Sequence, residues 1–138
     1  MTRPLLTRRH ELGHPLIDRE HALISDYWLR TVDCQPLEFP LHFARLKRAM
    51  IQHFAHETEL LTAAGKGLCI RHHADHGSLL KLCAEAAALY EQDWRRTRAL
   101  LRNEFAKKLR EHITSMDVCT VLMLNTAEKA PCGPRIVS

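Results

Sequence analysis

The sequence predicts an all-α fold, an antiparallel up-down four-helix bundle, on three observations. Leu, Ala, Arg, Lys and Glu fill the middle of the chain, a composition that favours helix. Four long segments, 16–32, 39–64, 68–90 and 94–124, carry apolar residues at helical spacing. The links between them are short, which makes antiparallel neighbours the economical arrangement. No segment alternates as a strand bounded by hairpin turns.

The first segment places Leu16, Ile17, Leu23, Ile24 and Trp28 at near-helical spacing, and Pro15 suits a first helical turn. An arm of about 1–13 precedes it. The second is entered through Pro36 and Pro40 and ends at Ala64, Gly65, Lys66, Gly67, where glycine can close a helix. The third is rich in alanine and leucine. The fourth has Asp93 available as its N-cap. After Asn125 the chain carries Pro131, Gly133 and Pro134, so 127–138 reads as a flexible tail and 1–126 as one helical domain.

A chain of 138 residues suits a single domain that buries about two thirds of its unfolded surface, without staples. Its 46% apolar and 26% charged residues argue against disorder. No run approaches the ~20 apolar residues of a membrane span. The N-terminus is basic but lacks the apolar stretch of a signal peptide. The five cysteines, Cys34, Cys69, Cys83, Cys119 and Cys132, form no C-x-x-C pair and no disulfide framework, so the reading is cytoplasmic. A net charge of +4 favours solubility more than an anionic partner. The basic residues Arg95, Arg96, Arg98, Arg102, Lys107, Lys108 and Arg110 read as a solvated helix face rather than a nucleic-acid interface, because Glu104 and Glu111 interrupt them and no stacking aromatics accompany them.

Ten histidines stand out against eight aromatic residues. His53 and Glu57 are four apart on the second segment, and His72 and His76 four apart on the third. Such pairs share a helical face, with Cβ atoms about 6 Å apart. The first segment adds His21, and the fourth adds His112 and Asp117. The last two are five apart, so on an α-helix they diverge by about 140°. They serve one site if they reach different metals or if the helix is locally irregular. The neighbours Met50, Leu60, Leu79, Leu80 and Cys83 at helical spacing place these groups toward the core. Five imidazoles and two carboxylates buried without a cation would leave many polar groups unsatisfied. Seven donors are too many for one metal and suit two, with the carboxylates as bridges. Imidazole with carboxylate suits iron, and less exclusively manganese or zinc. The H-E-x-x-H pattern fails because Leu60 stands where its second histidine belongs, and the only Glu-x-x-His, Glu11 to His14, precedes the bundle.

The motifs resemble those of the hemerythrin family. They are Gly13 through Asp18 to His21, His53-Phe54-Ala55-His56-Glu57, His72 to His76, and His112-Ile113 to Asp117, in family order over about 13–120. The resemblance implies a non-haem di-iron centre with an oxo or hydroxo bridge. His72, His76 and His112 would hold one iron, His21 and His53 the other, and Glu57 and Asp117 would bridge both. It implies reversible binding of dioxygen, for carriage, storage or delivery, rather than catalysis. The alternatives are a sensor of oxygen, nitric oxide or redox state, and a peroxidase or nitric oxide-removing enzyme. No nucleic acid or membrane is expected as a partner, and a monomer is favoured. Lys108 stands where the family often has Trp, and Thr58 where it often has a second Glu. Outside this set, His10, His14, His42, His56 and His73 read as exposed or capping residues. Asp18 serves either to orient His21 or to cap the helix, and Cys83 reads as an inert buried thiol.

Overall fold

The computed structural model describes residues 2–125, so the predicted tail at 127–138 and Cys132 lie outside the described residues. Three helices fall close to the periodic segments: α1 Pro15–Asp33, α2 Phe39–Ala63 and α3 Ile70–Tyr90. The last rod, α4, is continuous from Trp94 to Asn125. Its α-helical parts, Trp94–Leu100, Ala106–His112 and Val118–Asn125, are joined by two π-helical segments, Leu101–Phe105 and Ile113–Asp117. No strand forms among the described residues, and none of their helices is long and apolar enough to cross a membrane.

Local chemistry sets the helix ends. Gly13 turns the chain into α1 with φ +85°, a conformation costly for any side chain. Asp18 reaches back one turn, and its carboxylate accepts from the Leu12 and Gly13 amides at 2.7 and 3.0 Å. Asp18 therefore holds the helix entry and does not orient His21. His14 caps the same helix, its Nδ1 accepting from the Ile17 amide. α2 closes at Gly65, φ +72°, with the Gly65 and Lys66 amides bonded back to Thr62 and Leu61. Cys69 Sγ accepts from the His72 amide at the start of α3, and Asp93 caps α4 through the Arg96 amide.

The buried positions follow one stripe per helix. On α1 they are Ile17, His21, Ile24, Trp28 and Val32, spaced four, three, four and four apart, with Thr31 buried beside the last. On α2 they include Leu46, Met50, His53, Glu57 and Leu61, and on α3 His72, His76, Leu79, Cys83 and Ala86. Polar residues thus occupy positions that the helical repeat assigns to the core. Leu23, one residue off the α1 stripe, is 45% exposed, and Leu60 and Leu80, expected in the core, are only half-buried. The apolar core joins Trp28, Phe39, Phe43, Leu46, Met50, Leu79, Leu101, Phe105 and Leu109. Phe39 stacks between Phe43 and Tyr90, with centroids at 4.9 and 4.6 Å, and Trp94 meets it edge-on.

The first π segment has a partner for its displaced backbone: Trp28 Nε1 donates to the Leu101 carbonyl at 2.9 Å. The N-terminal arm also belongs to the core. Leu5 is 1% exposed, Arg110 Nε donates to its carbonyl, and the Leu6 amide donates to Ser25 Oγ. Arg98 Nε donates to the Val32 carbonyl at the end of α1, and Arg102 pairs with Asp33. The basic run on α4 is therefore not a plain solvated face, because three of its arginines fasten the arm and the end of α1.

Candidate metal centre

The seven predicted residues come together. His21 from α1, His53 and Glu57 from α2, His72 and His76 from α3, and His112 and Asp117 from α4 are all buried, His76 being the most exposed at 6%. Asp117 lies at the middle. Its Oδ2 is 2.7 Å from His21 Nε2 and 3.3 Å from His53 Nε2. Its Oδ1 is 2.9 Å from His112 Nε2 and 3.1 Å from His72 Nε2. Glu57 faces it, with Oε1 at 3.1 Å from His53 Nε2 and 3.3 Å from His76 Nε2, and Oε2 at 3.4 Å from His72 Nε2. The donor atoms fall into two groups that share Asp117: Glu57, His72, His76 and His112 with one of its oxygens, His21 and His53 with the other set.

The spacing between His112 and Asp117 is set by the second π segment, which occupies Ile113–Asp117 between them. Hydrogen bonds of the i→i+5 type nearly superpose residues five apart, and π turns of this kind occur often at functional sites. Of the two accounts the sequence leaves open, local irregularity is the one present in the backbone.

Asp117 hydrogen-bonds His21, His53 and His72, but the contacts of Glu57 and the one to His112 Nε2 lack hydrogen-bond geometry. Both Glu57 oxygens, His76 Nε2 and His112 Nε2 are buried and find no hydrogen-bond partner, although charged neighbours stand 2.9–3.4 Å away. In coordination chemistry that geometry is ordinary: two donors about 2.1 Å from a cation and at right angles to it lie about 3 Å apart. The donor set, the distances and the orphaned atoms fit a buried cation, and the cluster could hold a metal ion.

Without a cation, protons do part of its work. Burial pushes the His53 pKa down, but Asp117, Glu20 and Glu57 overcome it and hold His53 well above its ordinary value. His112 is likewise depressed by burial, yet Asp117 and Asp75 bring it up to about 9. Burial would raise Asp117, but His112, His21 and His53 hold it well below the carboxylate range. Burial and Asp117 raise Glu57, and His53 and His76 lower it further than they raise it.

Behind these imidazoles stand residues that the sequence reading does not pick out. His53 Nδ1 lies 3.1 Å from Glu20 Oε1, and the other Glu20 oxygen takes His56 Nδ1. His112 Nδ1 lies 2.6 Å from Asp75 Oδ2, whose partner oxygen accepts from Lys108 Nζ at 3.1 Å. The His112 bond and Lys108 together lower Asp75 to about 2 against the cost of burial. Thr120 Oγ1 lies 3.3 Å from His72 Nδ1. Such partners fix which nitrogen faces a metal and raise its basicity. One signal was available: Lys108 is four residues before His112, hence on its face. Glu20 and Asp75 adjoin the ligand candidates His21 and His76, and that adjacency turns them about 100° away, toward neighbouring helices.

The remaining histidines divide. His10 Nδ1 accepts from the Thr7 amide, His14 caps α1 and His73 is exposed, as expected. His56 differs, being joined through Glu20 to His53. Cys83 is fully buried, and burial pushes its thiol up to about 11, consistent with an inert core thiol. The edge of the cluster reaches the surface at His76. Its ring stacks on Phe54 at 3.8 Å and lines an apolar groove of about 410 Å³ with Ile51, Ala55 and Leu80.

No family model, curated protein or solved structure matches this chain.

Proposed function

We propose that this protein is a cytoplasmic member of the hemerythrin family. In this reading the helices form an antiparallel up-down bundle around a non-haem di-iron centre that binds dioxygen reversibly. His72, His76 and His112 serve one iron, His21 and His53 the other, and Glu57 and Asp117 both. The observation that carries the reading is the set of buried, mutually facing donors on four helices, with Glu57, His76 and His112 atoms that no protein group satisfies. The motif order adds the family. A bound iron pair would supply the electrons that hold dioxygen.

The chain's own residues do the rest. Glu20, Asp75 and Thr120 fix the outward nitrogens of His53, His112 and His72, which leaves each Nε2 turned inward. Phe54 and the core above it keep bulk water from the centre. The apolar groove beside His76 suits the entry of a small neutral molecule better than that of an ion.

Metal analysis of the natively purified chain should find two irons, and His53→Ala should lose one of them. The reduced, iron-loaded protein should gain a visible absorption band in oxygen that bleaches when oxygen is withdrawn. A single zinc or no metal would overturn the di-iron centre. Irreversible oxidation on first contact with oxygen would leave the centre standing and remove carriage.

A further inference from the structure

Away from the metal cluster, three guanidinium groups line one cavity. The space lies between the N-terminal arm, α1 and α4, measures about 310 Å³, and is bounded by Thr2, Arg3, Trp28, Arg102 and Arg110. No acidic side chain is among its lining residues. Arginine stays protonated at every physiological pH, so the charge here is permanent. Asp33 balances one charge, accepting from Arg102 Nη2 at 3.2 Å, while the same nitrogen donates to Thr2 Oγ1. Arg110 spends only its Nε, on the neutral Leu5 carbonyl. Arg3 is exposed and makes no hydrogen bond or ion pair among the described residues.

Two uncompensated cations and the unused forks of Arg110 and Arg3 therefore face a space at the small end of ligand pockets, about 300–1,000 Å³. A second arginine-lined cavity, with Arg95, Arg98 and Asn103, meets the first at Arg102. Guanidinium forks match the paired oxygens of phosphate and bind them with charge-assisted bonds roughly twice as strong as neutral ones. A carboxylate offers one charge, whereas a phosphomonoester offers up to two and three peripheral oxygens, which suits donors on several sides. Trp28 is buried to 2% exposure and offers no ring face for a base to stack on, which disfavours a nucleic acid.

We propose that the cavity under the N-terminal arm, walled by Arg3, Arg102 and Arg110, is a binding site for a small phosphorylated molecule. The site is independent of the metal cluster, and its test does not require metal.

Calorimetric titration of the full chain with inorganic phosphate and with pyrophosphate, in chloride at constant ionic strength, should give saturable binding at one site, with pyrophosphate tighter. Arg3→Glu should weaken pyrophosphate by about tenfold or more. Because Arg3 is exposed and bonds to none of the described residues, this variant should unfold at the parent's temperature. Arg110→Lys keeps the charge and loses the fork, and should weaken binding less. Three results would overturn the proposal: heats that chloride reproduces, an Arg3→Glu affinity equal to the parent's, or a single-stranded oligonucleotide that binds more tightly than pyrophosphate with a steep salt dependence. Sedimentation with phosphatidic acid vesicles should leave the protein in the supernatant, and cosedimentation abolished by Arg3→Glu would reassign the site to a lipid headgroup.

Discussion

Asp75 sits between a buried imidazole and a lysine, and this arrangement decides how His112 behaves. With Asp117 on one nitrogen and Asp75 on the other, His112 keeps its proton up to about pH 9 in the metal-free protein. A group whose pKa folding has raised lends stability below its unfolded value, near 6.5, and loses it as the pH climbs through 9. Metal capture must expel that proton, so affinity rises with pH through about 9, and His53, held up by Asp117, Glu20 and Glu57, adds to the rise until both protons are gone. Asp75→Asn removes the charge but keeps the shape. Its affinity should fall by about 10–100-fold where the parent's curve is flat, the range for such supporting contacts. The part of its rise due to His112 should also end at a lower pH, because the imidazole loses its proton more readily. Metal titrations at several pH values read both effects. A weaker affinity with an unmoved profile would mean that Asp75 supports the fold alone.

The π segment in α4 makes a prediction that an α-helix would not. Residues 113–117 hold one residue more than an α-helical path between the same ends, and Thr114 is exposed there. Deleting Thr114 should convert the segment to α-helix with His112 and the aspartate four apart, still on one face. The variant should fold and retain its metal. Deleting the exposed Gln52 from α2, which has no extra residue to absorb the loss, should rotate Met50 by about 100° relative to His53 and Glu57 and abolish metal retention. Equal loss in both deletions would refute the absorbed-residue account.

These elements also show where the sequence is legible. The stripe Ile17, His21, Ile24 and Trp28, and its counterparts on α2 and α3, are readable because a helix repeats by local rules. So are the caps at Pro15 and Asp93 and the closing Gly65. The contacts of Glu20 with His53 and of Asp75 with His112 join residues 33 and 37 positions apart on different helices, where helical period carries no information. The π turns were only partly legible: the five-residue spacing of His112 and Asp117 left the second open as one alternative, and nothing pointed to the first. They depend on the register of α4 against its neighbours and on partners such as Trp28 for the freed Leu101 carbonyl, and no local composition marks them.

At the scale of the whole molecule, the arm before α1 joins the start of the chain to α4. Leu5 shares the core cluster with Trp28, Phe105 and Leu109, and Arg110 and Ser25 hold the backbone on either side of it. The elements it rests against, α1 and α4, carry His21, His112 and Asp117, so an arm that is part of the cooperative core also steadies one wall of the metal cluster. A terminal segment can instead peel away alone, and its loss then leaves the remaining protein's stability unchanged. The burial favours the first case. Leu5→Ala should cost about 2–5 kcal/mol in urea unfolding through the cavity it leaves. Leu5→Met, of similar volume, should cost less than about 1.5 kcal/mol. The loss should appear in amide exchange of the α2 and α3 core as well as at Leu6, whose amide is fixed by Ser25. Faster exchange at Leu6 with an unmoved unfolding midpoint would place the arm outside the cooperative unit.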